Sequence, residues 1–552
     1  MASCPKNYPF YNWVPKPLGI IILLLLFIPI LTVGGVYTAN SGEMMSGLGI
    51  QSEHIQFVGF VTSVGMAAFS PFFYRLVCIR REKMMCLVGF SVMYLLSYVC
   101  AKTDSIFLLA LCSLVMGFLR MVLMMVNLFT LIRYAFGMEA TRNITPGMEP
   151  SDEAGWDRLD SEKSVSMPTI YLFFMILGQV GTSLTAWLAY EYEWQYVYYF
   201  MMGALLLSIL VIFVTMPYHK FVSRRFPVTF SKFANVVLFS VLWCSVIYVL
   251  VYGKVLDWYD DSTIRWATVI ALVSGAVFFY MEKTHRSPYF LLDVFKLRNI
   301  NMGVVLFLLL MILNSSAMLV NVFTGVGMKI DNWQNAVLGN WAILGYFIGG
   351  VIAIVLGKRG VHLKYLFGMG FLFIGLSALF MYFEVQTDGL YERMKYPVII
   401  RAIGMMLLYS LTAVYANQRM PYKYLSTWIC IMLTVRMVLG PGIGTALYTN
   451  VLQERQQHYI TRYAQNVDVL HPEASASYTQ TVQGMLYQGK SLEEGQQMAS
   501  MSVKGNIQKQ AVLSSVKEIS GWTLYACFIC MIWIVVMPHP KKKLLTSQNQ
   551  SS

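Results

Sequence analysis

The chain of 552 residues is 57% hydrophobic and 12% charged, roughly half the charge of an ordinary soluble domain, which argues against a water-soluble enzyme. Its formal charge of +13 raises nucleic acid as a partner. Basic residues flanking apolar runs instead report membrane topology, so no nucleic-acid partner is expected.

Fourteen apolar segments follow in chain order, near 18–37, 55–74, 84–101, 105–131, 168–190, 195–217, 231–253, 264–281, 301–324, 333–356, 365–383, 397–416, 425–449 and 521–538. Most are close to the ~20 residues that a helix needs to cross hydrocarbon. The first run lacks a small-residue cleavage site and reads as a retained span rather than a removed signal. With the N-terminus inside, the cytoplasmic stretches collect 26 of the 41 Lys and Arg residues. Among them are Lys6 and Lys16, the loop holding Arg75, Arg80, Arg81 and Lys83, and the run Lys541, Lys542 and Lys543 after the last span. The short outer loops hold only six. This bias predicts a multi-pass protein of the cell membrane, the inner one in a double-membraned bacterium, with both termini cytoplasmic.

Nine cysteines are scattered, mostly within apolar runs, and read as small apolar residues rather than disulfides or a metal site. Two loops are long. The inner one, 138–167, is polar and acidic and reads as a solvated connector. The outer one, 451–520, is rich in Gln, Ser and Tyr, with a helical pattern over about 496–519; it is large enough to meet a partner.

Similar loops recur at matching places in the two halves, as internal repeats of transporters do. Arg75-Leu-Val-Cys-Ile-Arg-Arg-Glu-Lys83 leads to Gly89, and Gly357-Lys-Arg-Gly-Val-His-Leu-Lys364 leads to Gly368. Span 13 carries Arg436-Met-Val-Leu-Gly440-Pro-Gly442-Ile-Gly444-Thr445-Ala446, span 12 carries Arg401-Ala-Ile-Gly404, and Glu193-Trp194-Gln-Tyr-Val-Tyr-Tyr-Phe200 leads into span 6. On these motifs the chain resembles the major facilitator superfamily, in its fourteen-helix drug/proton antiporter branch of EmrB/QacA-like proteins, as a diverged member. The departures are specific: the Gly-Pro and Gly-Gly elements of span 5 stand as Gly181-Thr182 and Thr185-Ala186, Tyr74 and Cys78 occupy the Gly and Asp positions of the loop motif, and Ser113 replaces an Arg in span 4.

The resemblance implies an all-α polytopic membrane protein of the major facilitator-type fold, with 14 transmembrane helices arranged 6+2+6. Residues 1–217 would form an N-terminal six-helix half, 218–299 a two-helix insert, and 300–552 a C-terminal half with the large outer loop. It also implies efflux of small amphipathic or hydrophobic compounds by alternating access, with proton coupling and no organic cofactor. In double-membraned bacteria it implies a periplasmic adaptor and an outer-membrane duct as partners.

A charge at mid-bilayer costs about 2.5–3.5 kcal/mol on insertion scales, so Arg120, Arg401 and Arg436 should face a cavity, a partner helix or the interface. Arg401 lies near the outer end of its span, where snorkelling is an even alternative. Asn127, Gln179, Asn314 and Asn340 are further cavity candidates, against the ordinary reading of interhelical hydrogen bonds; Tyr409 would add a soft wall. Arg75, Arg80, Arg81 and Lys83 are expected to act as a gate latch that pairs with helix ends or acidic groups in one state. Gly178, Gly181, Gly440, Gly442 and Gly444 are candidate packing positions. No Asp or Glu lies in any span core, so proton coupling rests on the resemblance alone.

Helix count and orientation leave uptake of an amphipathic nutrient open, and the degraded motifs leave a nontransporting scaffold open. A polytopic membrane enzyme lacks support, since the seven His residues are dispersed and no metal-binding His pair with helical spacing occurs.

Overall fold

The computed structural model describes residues 7–32, 41–72, 82–136, 153–218, 230–284, 288–387, 389–465 and 472–536. A backbone inside hydrocarbon has to satisfy its own N–H and C=O groups, and among the described residues this chain does so with helices alone. The helices are α1 (Lys16–Leu25), α2 (Ser41–Leu48), α3 (Ser52–Phe69), α4 (Glu82–Lys102), α5 (Ile106–Phe136), α6 (Glu153–Glu191), α7 (Gln195–Thr215), α8 (Phe230–Tyr252) and α9 (Ser262–Thr284). They continue with α10 (Arg298–Asn314), α11 (Ala317–Val322), α12 (Asn332–Lys358), α13 (Leu363–Glu384), α14 (Lys395–Ala416), α15 (Tyr422–Thr434), α16 (Gly440–Gln465), α17 (Pro472–Tyr487) and α18 (Leu492–Val536).

Thirteen helical stretches among the described residues are long and apolar enough to cross a membrane, and Lys16–Thr32 adds a shorter apolar one. Together they account for the fourteen expected spans. Two spans are interrupted. The ninth breaks at Asn314-Ser315-Ser316 between α10 and α11 and ends in a wide π turn, Phe323–Gly327. The thirteenth holds a π turn at Val435–Leu439 between α15 and α16, just before Gly440-Pro441, where proline removes a backbone donor from the helix ladder.

The same pairings recur in the first and last six spans. Early in the chain α1 and α3 pack on α5, and α4 on α7; later α10 and α12 pack on α14, and α13 on α18. The tight crossings are built alike. A Cβ at Gly117 of α5 would lie 2.1 Å from the Thr62 carbonyl oxygen of α3, and one at Gly345 of α12 would lie 2.4 Å from that of Ile399 in α14. α14 is the most enclosed span, with every residue from Ala402 to Ala416 buried.

The two sets of six meet along two seams, α6 against α12 and α3 against α15. α8 packs against both α3 and α16, closing one side of the second seam, and α9 packs on α8. One stretch read as a loop is helical, and the outer loop is helical over 496–519 as expected and well beyond it. The acidic connector is helical from Glu153 and runs on as α6 through Pro168, because its Asp157, Asp160 and Lys163 find partners across the seam. The outer loop contributes α17 and the first half of α18. At 1.5 Å per residue, the 45 residues of α18 extend about 67 Å, roughly twice the hydrocarbon thickness.

A side chain added at a tight crossing has nowhere to go. Gly117→Val should destabilise the detergent-solubilised protein by about 1–3 kcal/mol or more, read as a lower aggregation temperature. Gly203→Val, at a site where an added Cβ meets open space, should leave that temperature nearly unchanged.

Candidate functional site

Irregular helix places Arg436. In the π turn its side chain leaves the α15–α16 axis and lies over two rings, with its guanidinium carbon 4.5 Å from the Tyr409 centroid and 5.8 Å from that of Tyr171. Tyr409 comes from α14 and Tyr171 from α6, so three spans from both sets of six converge here. The two rings meet edge to face at 5.0 Å, and Phe307 of α10 adds a third ring 5.9 Å from Tyr409. Such stacking contributes about 0.5–2 kcal/mol and orients the guanidinium without neutralising it.

Arg120 enters from α5, close enough to Arg436 for the two positive charges to repel. Arg401, six residues into α14, lies within electrostatic range of Tyr346 of α12. All three arginines are half-buried. Each has a buried nitrogen with no hydrogen-bond partner: Nε of Arg120, Nη1 of Arg401 and Nε of Arg436. None of the ion pairs among the described residues includes them.

The neutral candidates divide. Asn127 of α5 donates to the Leu23 carbonyl at 2.9 Å, tying α5 to α1. Gln179 of α6 lies against Gly339 of α12, and one turn on Ser183 donates to Asn340; both contacts belong to the α6–α12 seam. Asn314 ends α10 at the helix break and is half-buried. Added Cβ atoms at Gly440, Gly442 and Gly444 would approach Met311, Ile247 and Ser315 within 2.8 Å, so these glycines let the broken thirteenth span lie against α10 and α8. Around Gly178 there is open space, and Gly181 makes only ordinary contact.

Of the gate-loop candidates, Arg75, Arg80 and Arg81 lie outside the described residues. Lys83 donates to the carbonyls of Phe213 and Met216 at the end of α7, a C-terminal capping contact favoured by the helix dipole that stays within the first six spans. Bonds between the sets at this same end come from residues that sequence reasoning did not single out. Lys163 donates to the Asn417 carbonyl at 2.9 Å, Arg419 pairs with Asp157 at 3.0 Å, and Ser426 donates to the Pro71 carbonyl at 2.6 Å. The segment after α9 wedges between the seams: Tyr289 donates to the Ala68 carbonyl, and the Leu291 N–H donates to Thr427 at 3.2 Å.

The opposite end differs. Here α12 is tied to α2, with Asn332 donating to Glu43. Between α3 and α16, however, a cavity of about 500 Å³ remains, lined by Glu53, Lys254, Asp257, Met318, Gln453 and Gln456 among others. Two carboxylates are buried at helix ends: Glu82, which accepts from Tyr8 and faces Arg133 at 3.9 Å, and Glu282, which accepts from Asn235 and the Phe290 N–H. Among the described residues no three His, Cys, Asp or Glu side chains gather as a metal site would require.

No family model matches the chain. The colistin resistance protein EmrB of Acinetobacter baumannii is 23% identical over 409 residues, covering 72% of this chain and 76% of that protein. The multidrug export protein EmrB of Escherichia coli K12 is 22% identical over 297 residues, 52% of this chain and about half of the relative's length, 54%. Among solved structures, a variant of the nucleoside transporter NupG superposes with a TM-score of 0.51 at 11% identity, covering 92% of this chain and 98% of that one. That likeness concerns the fold alone. With the span pattern, the repeated pairings and the two EmrB relatives together, the chain is a multi-pass membrane transporter similar to the EmrB export proteins.

Proposed function

We propose that the chain exports small amphipathic compounds by alternating access, with residues 1–217 and 300–552 as the moving halves and 218–299 as an insert braced against one seam. The observation that carries this reading is the unequal closure of the two ends. Bonds between the halves seal the end bearing Lys83, Lys163 and Arg419, while the other end keeps a polar cavity whose walls come from both halves. The interior cluster of Arg120, Arg401, Arg436 and Tyr409 would hold the compound, and Asn127, Gln179, Asn314 and Asn340 would tie or line the helices around it.

The excess of Lys and Arg on one side supports cytoplasmic termini and a cell-membrane location, which makes the described conformation outward-facing. The extension built by α16, α17 and α18 would offer a surface to a periplasmic adaptor feeding an outer-membrane duct. Proton coupling has only the family resemblance behind it, since no span core supplies a carboxylate.

Three outcomes test this reading. Cells expressing the protein should accumulate less of the exported compounds than cells carrying the Arg436→Ala variant at equal membrane levels; equal accumulation across a broad compound screen would refute export. Lys163→Met breaks a half-buried contact and leaves Asp160 short of its partner, about 1–3 kcal/mol. It should therefore raise the maleimide labelling rate of buried Cys430, beneath the seal, more than Arg419→Ala does, since that exposed pair is worth about 0–1 kcal/mol. Reversing Arg75 and Lys83 together should lower turnover more than membrane insertion, measured as flux per inserted molecule.

A further inference from the structure

We infer that the two-helix insert is the lid of the outer exit: α8 and the loop after it move as one body with the first half, slide across Gly442 of α16, and close the outer cavity against Gln453 and Gln456. The inference rests on the alternating-access reading and deepens it by naming the wall that moves. It follows from the juxtaposition of directional bonds on one flank of α8, methyl groups over a glycine on the other, and a cavity whose walls divide between the same two sides.

The flank facing α3 is tied along most of that helix. Near the outer end Nδ1 of His54 and the Tyr252 hydroxyl share a hydrogen bond of 2.5 Å, with the two rings 5.3 Å apart. Phe57, one turn on, lies 5.8 Å from both Tyr248 and Tyr252, which stand 4.5 Å from each other. Deeper in the membrane Val64 shares an apolar cluster with Ile247 and Val251. At the inner end the Tyr289 hydroxyl donates to the Ala68 carbonyl, and its ring is 5.8 Å from that of Phe72.

Towards the second half α8 presents methyl groups. A Cβ added at Gly442 would lie 2.8 Å from Cδ1 of Ile247 and 3.3 Å from Cδ1 of Leu250, and Val438 joins the same apolar cluster. Among the described residues α8 makes no hydrogen bond or ion pair to α15 or α16. A hydrogen bond weakens steeply as its partners turn or separate, whereas apolar contact has no preferred direction. When the halves shift, the contact with α16 slides and the contact with α3 holds, a shear of packed helices. The Leu291 N–H donates to Thr427 of the second half only two residues past Tyr289, so the boundary between the moving bodies falls at Phe290.

The outer loop is fastened to α8 and travels with it. The Trp258 N–H donates to the Gly253 carbonyl at 2.7 Å, and the Trp258 ring covers Gly253, where an added Cβ would lie 2.7 Å from a ring carbon. Asp257 and Trp258 hold left-handed backbone, φ 48° and 57°, a conformation kept only where surrounding contacts fix it. Lys254, Val255 and Asp257 therefore form one cavity wall with Glu53 of α3, facing Met318 of α11 and Thr449, Gln453 and Gln456 of α16. An amide side chain both donates and accepts, so Gln453 and Gln456 can receive Lys254 and Asp257 alike when the walls meet.

The purified full chain in lipid nanodiscs tests this without any transported compound, because Lys163→Met with Arg419→Ala weakens the inner seal and shifts the balance toward outer closure. Cys4→Ser and Cys78→Ser form the background, the other seven cysteines being buried or half-buried, and that background is the labelling blank. Nitroxide labels at exposed Asp104→Cys, Tyr259→Cys and Gln457→Cys, taken in pairs, report by double electron-electron resonance on first half, insert and second half. With the seal weakened, the Tyr259–Gln457 and Asp104–Gln457 distances should each gain a shorter component while the Asp104–Tyr259 distance stays unchanged.

A change in the Asp104–Tyr259 distance overturns the inference and leaves the exporter reading intact. If no distance changes, oxidation of Lys254→Cys paired with Gln453→Cys decides. A disulfide accompanied by faster maleimide labelling of Cys430 supports a lid coupled to the inner end. A disulfide without faster labelling means that the loop moves alone, and no disulfide means that no lid closes; either result sinks the inference, and the cellular accumulation comparison decides separately whether export falls with it.

Discussion

Positive charge held inside an apolar bundle without an acidic neighbour is the constraint around which the rest of the structure is arranged. A guanidinium in hydrocarbon is tolerated only where protein or water surrounds it, and here three of them are half-buried within the spans. Arg436 reaches its rings because a π turn before Gly440-Pro441 widens the helix; Arg120 and Arg401 stand on α5 and α14, the spans on which the tight glycine crossings of each half converge. The rings of Tyr171 and Tyr409 fix the direction of Arg436 and leave its charge standing.

The seams translate that local constraint into a motion. Their pairings exchange under the internal pseudo-symmetry: the fifth span meets the tenth, and the second meets the thirteenth. In the proposed cycle, rocking one half against the other opens one end as it closes the other. At the sealed end the ties are few, polar and local, with backbone carbonyls at Asn417, Pro71 and Ala68 accepting from side chains of the facing element. Contacts of this type hold an arrangement in place without the large apolar burial that would make it permanent. The segment after α9 adds to this, with Tyr289 bonding to α3 and Leu291 to α15.

Much of this plan was legible in the chain itself. Hydrocarbon thickness and the absence of water in it dictate the length and apolar character of each span, so the described parts of all fourteen segments are largely helical. Charge bias and the paired loops after Arg75 and Gly357 pointed to a repeat. The positions of Arg120, Arg401 and Arg436 stood out because charge is rare in such segments. Other positions were silent. Tyr171 and Tyr346 carried no signal among 34 tyrosines, since a tyrosine in a span suits an interface, a core or a cavity equally well. Lys163, Arg419 and Asn417 looked like ordinary loop residues because their partners lie more than 250 positions away.

The amino-acid order by itself determined what each segment is: apolar enough to cross, helical because nothing else satisfies the backbone there, and oriented by its flanking charges. Tertiary structure decided which segments meet. It set Arg436 over rings from two other spans, committed Lys83 to the end of α7, and left one end of the seam open while sealing the other. Those outcomes depend on helix crossings and rotations, which arise from the fit of one surface against another, and a linear pattern of apolar and charged residues does not encode that fit position by position.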